Sequence, residues 1–230
     1  MTLSVNEILN VDMLNNTFLK NGIVRIYDFL TTSSAEQLRQ CLESKIDYAN
    51  AFHLAGMNRQ ASDDEIAKLN NETRLGLYND IYKAAAKGSG FLYGRHKIEP
   101  DSKPELTNAL SLLNSAHMLD LIKVITNKNS LTHADGQATR FRVGDFLTRH
   151  VDDIPGETRQ IAYVLGMTEN WHPDWGGLLQ FFEKSGQPTD SWSPTFNSLT
   201  LFDVNKIHSV TSIAPFSEKK RYSITGWFRS

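Results

Sequence analysis

From residue 131 to the end, the chain alternates short β-forming runs with turns. The runs are ATRFRVG (138–144), FLTRHVD (146–152), RQIAYVLGM (159–167), GGLLQFFE (176–183), SLTLFDV (198–204), HSVTSIA (208–214) and RYSITGWFR (221–229). Segments this short at this spacing cannot build a parallel α/β sheet, which needs a helix between successive strands. They suit an antiparallel sandwich or barrel. The expectation is an eight-stranded β-roll.

Residues 1–130 read differently, as helices around two strands, GIVRIYDFL (22–30) and GFLYGRHKIE (90–99). Ser33 with Glu36, and Ser62 with Glu65, have capping-box spacing. The second pair opens a long helical stretch that ends at Gly88. Pro104 suits a helix's first turn, and a break near Asn114–Ser115 divides the stretch ELTNALSLLNSAHMLDLIKVITN (105–127) into two helices. No flexible linker separates the two textures. The expected organisation is one domain, 1–230: a helix-rich supporting part (1–130) buttressing a β-roll (131–230).

Composition narrows the function classes. Lys and Arg number 24 against 26 Asp and Glu. A nucleic-acid binder usually carries a basic excess or a basic stripe with interleaved aromatics, so no nucleic-acid partner is expected. No run approaches the ~20 apolar residues that span a bilayer, so no membrane partner is expected either. MTLSVNEILNVDML lacks the pattern of a signal peptide. Cys41 is the single cysteine, read as a packed helix residue; together these suggest a reducing, cytoplasmic setting.

The chemistry concentrates in TRHVDDIPGETR (148–159). On a strand, His150 and Asp152 would share a face roughly 6.5–7 Å apart, close enough to converge on one ion, with Asp153 turned away. A histidine and a carboxylate are two-thirds of a facial triad for Fe(II), completed by a further histidine. His133-Ala134-Asp135 has the same spacing, and by itself either copy reads more readily as polar surface residues. Context separates them: the first leads into a glycine turn, whereas the second comes off an apolar segment and turns back at Pro155–Gly156. Downstream lie His172, in the loop ENWHPDWGG, and His208, in a β-rich segment. Arg221, Ser223, Thr225 and Trp227 alternate onto one strand face. An inward Arg221 would be costly without an anion. A ligand carboxylate would satisfy it, and so would an acidic side chain at the barrel rim.

His150-x-Asp152, then His208, then Arg221-x-Ser223 resembles the order found in Fe(II)/2-oxoglutarate oxygenases, most closely the prolyl-hydroxylase group that includes the hypoxia-factor and ribosomal-protein enzymes. FRVGDFLTRHVDD, RQIAYVLGMTENWHPDWGGLLQFF, PTFNSLTLFDV and RYSITGWF carry the likeness over about residues 138–229. The resemblance implies a double-stranded β-helix (jelly roll, cupin-like) fold with 131–230 as the catalytic β-roll, and Fe(II) held by His150, Asp152 and His208. It implies 2-oxoglutarate with its distal carboxylate on Arg221 near Ser223, O2 as second cosubstrate, and ascorbate as an optional reductant. Oxidative decarboxylation would yield succinate and CO2 while a C–H bond is hydroxylated. Arg159 would lie near a peptide substrate, and Trp227 would wall the substrate pocket. Trp171 and Trp175 read as loop packing, Leu179 and Val210 as apolar lining. The sequence departs from the group twice. Phe141 or Arg140 stands where many members have tyrosine, and so does Gly166; Tyr163, on the opposite face from Gly166, does not replace it. Three readings are open: a prolyl hydroxylase of a protein or peptide, an oxygenase of a free amino acid or small metabolite, or a non-catalytic metal-binding module. The oligomeric state stays open.

Overall fold

A computed structural model describes residues 3–7 and 10–230; Met1, Thr2, Ile8 and Leu9 of the N-terminal stretch lie outside the described residues. In chain order the elements are α1 (Val11–Asn21), β1 (Ile23–Ile26), α2 (Thr32–Ser44), β2 (Ala49–Leu54), β3 (Met57–Ser62), α3 (Asp63–Lys68), α4 (Asn71–Ala85), β4 (Phe91–Lys97), α5 (Pro104–Leu113) and α6 (Ala116–Thr126). Next come β5 (His133–Ala134), β6 (Gln137–Phe141), β7 (Phe146–His150), β8 (Arg159–Gly166), β9 (Leu179–Phe182), β10 (Pro188–Trp192), β11 (Ser198–Asp203), β12 (Ile207–Val210) and β13 (Arg221–Arg229). The strands form one curled antiparallel sheet in the order β1-β11-β8-β13-β6-β4-β7-β12-β9-β10, a jelly-roll core with helices outside. β4 is the hinge of the roll, pairing with β6 along most of its length and with β7 at Phe91 and Leu92.

Period-two alternation decides what each side of the sheet does. Ile161, Tyr163 and Leu165 of β8, Leu199 and Leu201 of β11, and Tyr222, Ile224 and Phe228 of β13 face the helices. There they pack with Leu38, Cys41 and Leu42 of α2, Leu106 and Leu113 of α5, and Met118 and Ile122 of α6. Each fully buried Leu or Ile here contributes about 1.5–3 kcal/mol. The intervening residues face the inside of the roll and are free to carry polar side chains. Cys41 is fully buried, and burial pushes its thiol up to about 11.

Several local expectations hold. Ser62 and Glu65 form a reciprocal capping box. Pro104 opens α5, and the helical run breaks at Asn114–Ser115, where the Ser115 side chain caps α6. Others need correction. The helix expected to cap at Ser33 starts at Thr32, and its N-cap Thr31 has no side-chain cap bond; Thr31 Oγ1 donates to Ser34 Oγ instead. The long stretch to Gly88 is two helices, because Asn70 caps a new one. The first strand stops at Ile26, before Asp28 turns at φ 49°. The described part of the first 130 residues holds four strands, not two: β2 and β3 form a hairpin turning at Ala55 and Gly56, both at positive φ. That hairpin was illegible because β3 is polar and largely exposed, so it lacks apolar alternation. Nine strands lie beyond residue 130 rather than eight, β5 being a two-residue edge.

Candidate active site

Inside the roll lies a cleft of about 420 Å³, within the range of small-molecule sites. At one wall His150, Asp152 and His208 each offer a ligand atom, all within 4.8 Å of one another. The two histidines face each other because they are register partners across the β7–β12 ladder; their rings lie 4.2 Å apart. β7 ends at His150, so strand alternation alone does not place Asp152. Its backbone N–H donates to the Val204 carbonyl at 2.9 Å, and that bond turns the carboxylate inward. Asp153 is exposed, as expected.

The histidines are held ready for a cation. His150 Nδ1 donates to the Thr148 carbonyl (3.0 Å) and His208 Nδ1 to the Lys206 carbonyl (2.9 Å). This leaves both Nε2 lone pairs toward Asp152, at 3.5 and 3.6 Å from its oxygens. Backbone carbonyls commonly orient metal-ligating histidines in this way. Burial, then the neighbouring His150, lowers His208 to about 4, so it is neutral at physiological pH. Burial works against the charge of Asp152, but the two imidazoles beside it outweigh burial and lower its pKa. Two imidazoles beside a carboxylate fit Fe(II) with open coordination positions.

Arg221 projects into the same cleft, 4% exposed. Its Nη1 donates to the Gly177 carbonyl at 2.9 Å, and its guanidinium lies over the Phe141 ring at 5.2 Å. No carboxylate meets it among the described residues, so the rim salt bridge is absent. Burial, then the charge of Arg25, lowers it to about 10, still cationic at neutral pH. Gly176 and Gly177 both have positive φ, and a Cβ on Gly176 would strike the Ser212 carbonyl. Glycine is what lets this loop pass so close and present its carbonyl to Arg221. Ser223 shares a 2.7 Å hydrogen bond with Thr139 Oγ1 at the cleft wall.

Arg159 and Trp227 also line the cleft, stacked with the guanidinium 3.6 Å from the ring centroid. Arg159 Nε lies 2.7 Å from Glu157 Oε2. The buried Trp227 indole N–H makes no well-formed hydrogen bond among the described residues, yet sits near enough to Asp152 to help hold it ionised. Leu179 and Val210 are buried lining residues, while His172 is exposed on its loop and caps the Asp174 N–H. Trp171 packs edge-on against Trp175 at 5.3 Å, as loop structure.

Both departures from tyrosine find their physical setting here. Phe141 faces the cleft, whereas Arg140 turns away to pair with Asp63. A phenol does reach this wall from β4: Tyr93 stacks on Phe141 at 5.1 Å. At Gly166 any side chain would collide with the Thr195 carbonyl. Tyr93 escaped the sequence reading because GFLYGRHKIE showed a strand but not which strands flank it.

A family model described as the 2OG-Fe(II) oxygenase superfamily matches residues 136–229. Residues 136–229 are thus similar to that superfamily. This segment holds all three candidate ligands and Arg221, and the oxygenase family that it matches implies Fe(II), 2-oxoglutarate and O2. Among curated proteins, the prolyl 3-hydroxylase OGFOD1 of Mus musculus is 31% identical over 101 residues, 41% of this chain but only 18% of that protein's length. Among solved structures, a Pseudomonas putida prolyl-4-hydroxylase aligns with TM-score 0.63 and 19% identity, over 95% of this chain and 98% of the other. A Trichoplax adhaerens prolyl hydroxylase in complex with a hypoxia inducible factor peptide aligns with TM-score 0.63 and 20% identity, over 95% and 88%. At these identities the structural likeness is one of fold. The oxygenase segment therefore sits in a prolyl-hydroxylase-like scaffold that takes in the N-terminal helices as well. No helix among the described residues is long and apolar enough to cross a membrane.

Proposed function

We propose that this chain is an Fe(II)- and 2-oxoglutarate-dependent dioxygenase that hydroxylates a prolyl residue of a protein or peptide. One observation carries the reading: the His150, Asp152 and His208 cluster opens onto the same cleft as a buried arginine that has no carboxylate of its own. A buried unpaired cation costs several kcal/mol, a cost that a bound dicarboxylate offsets.

In this reading His150, Asp152 and His208 hold the iron. Arg221 pairs with the distal carboxylate of 2-oxoglutarate, and Ser223 narrows the wall beside it. Bound iron and 2-oxoglutarate supply O2 activation by oxidative decarboxylation, releasing succinate and CO2 as a C–H bond becomes C–OH. Arg159 and Trp227 form a flat cationic and aromatic wall suited to a proline ring and its flanking carbonyls. The relatives named as prolyl hydroxylases support this substrate class. We read residues 1–230 as one domain, because the helices share one apolar core with the sheet, and the cytoplasm as its setting.

Arg95 and Arg149 in the cleft lining favour a second reading, hydroxylation of a free amino acid, whose carboxylate would meet them. The two separate cleanly by mass spectrometry with Fe(II), 2-oxoglutarate and O2. A gain of one oxygen on proline-containing peptides supports the first; product from free proline alone supports the second. Iron-loaded protein that releases no succinate with either would make the roll a binding module.

A further inference from the structure

The oxygenase segment begins at residue 136, yet the strand register carries its inner face beyond that segment. Arg25 of β1 is the register partner of Thr200 on β11, Thr200 of Val164 on β8, and Val164 of Thr225 on β13. These positions form one row across the inside of the roll. In the adjacent row Ser198, Gly166 and Ser223 are partners in the same way. Gly166 leaves a gap there, capped by the Thr195 carbonyl.

Arg25, Thr200 and Arg221 line one small cavity beside this gap. The two guanidiniums are close enough for Arg25 to lower the pKa of Arg221. Among the described residues neither guanidinium has a carboxylate partner; the Tyr27 phenol lies beside Arg25. Arg25 Nε donates to Thr200 Oγ1 at 2.9 Å, and its Nη1 donates to the Ser193 carbonyl (3.0 Å) and Thr195 Oγ1 (3.1 Å). The Arg25 guanidinium also lies over the Trp192 ring at 4.8 Å. Thr200 is 1% exposed. Its hydroxyl accepts from Arg25, and no hydrogen bond donated by it exists among the described residues. A buried hydroxyl that accepts from a guanidinium and still holds its own proton is a strengthened donor.

We infer that Arg25 and Thr200 form the second wall of the distal-carboxylate site: Thr200 donates its hydroxyl hydrogen to the carboxylate that Arg221 pairs with, and Arg25 polarises that hydroxyl and adds a second positive charge. This pair stands where the closed-off Gly166 can offer no donor. The inference rests on the 2-oxoglutarate reading above and extends it to β1, outside the oxygenase segment. It makes Arg25 a positioning residue and Thr200 a direct contact. Two like charges facing one small cavity repel until a dianionic cosubstrate arrives, so the device selects a five-carbon 2-oxo diacid over the matching monoacid.

The test is anaerobic titration of Fe(II)-loaded protein, followed by metal-to-ligand charge-transfer absorbance. The probes are 2-oxoglutarate and 2-oxopentanoate, which has a methyl in place of the distal carboxylate. Thr200→Val should weaken 2-oxoglutarate by roughly tenfold and Arg25→Gln by roughly ten- to a hundredfold, with 2-oxopentanoate and Fe(II) affinity unchanged. Arg25→Lys, which keeps the charge, should fall between, and it serves if Arg25→Gln does not fold. Equal weakening of both probes would mean that Arg25 only supports the 193–195 loop; no weakening of either would mean that the pair does not face the cosubstrate. Each result overturns the inference. Wild-type protein that binds Fe(II) but gives no band with 2-oxoglutarate would instead overturn the functional reading beneath it.

Discussion

The chain carries His-x-Asp three times: His172-Pro173-Asp174 sits in an exposed loop, and the other two copies lie on neighbouring parts of one fold. At His133-Ala134-Asp135 the histidine is exposed and its Nδ1 meets only Thr132 Oγ1 at 2.9 Å. Asp135 accepts from the Trp227 backbone N–H (3.1 Å) and from Arg229 Nε (2.7 Å), tying the edge strand β5 to β13. At His150-Val151-Asp152 the carboxylate is buried, and a third ligand, His208, stands directly across the β7–β12 ladder. Spacing is therefore the weaker half of a metal motif. The stronger half is a partner strand that brings a third donor, and a carboxylate with no arginine already holding it.

That contrast can be broken experimentally. The largest effect belongs to ligand loss: His208→Ala should lower Fe(II) affinity by more than about a hundredfold, beyond what loss of a supporting residue costs. Isothermal titration of the metal would show it, and near-wild-type binding would return the second copy to the status of the first. Next comes a second buried carboxylate that sharpens the comparison. Asp145 is pushed up to about 6 by burial, which outweighs Arg142 and Arg140. Its folded pKa lies above its unfolded value, so its stabilising effect is complete below about pH 4 and is lost as pH rises through about 6. Thermal melts from pH 4 to 7 should show a decline of up to roughly 3 kcal/mol, absent in Asp145→Asn.

The first copy should respond as structure rather than as chemistry. Asp135→Asn should cost about 1 kcal/mol in chemical denaturation, since its ion pair with Arg229 is partly exposed, and it should leave Fe(II) affinity unchanged. His133→Ala, at an exposed edge, should shift stability by less than about 0.5 kcal/mol. A metal deficit in either variant would mean that the two copies are coupled through β13.

The sequence by itself determined the antiparallel roll, the faces of β13, and the order of His150, Asp152, His208 and Arg221, because alternation and turn spacing are local properties of the chain. Phe228 and Ile224 fall toward the helices and Arg221 and Trp227 toward the cleft by parity alone. The tertiary structure decided what register controls. Which His-x-Asp meets a third histidine depends on which strand lies opposite. Tyr93 enters the cleft only because β4 bridges β6 and β7. Arg25, 196 positions from Arg221 by their residue numbers, comes beside it only because β1 pairs with β11 and β11 with β8. A short polar strand such as β3, or a single inward arginine such as Arg25, carries no periodic signal of its own. Its role comes from neighbours that backbone hydrogen bonding supplies across the sheet.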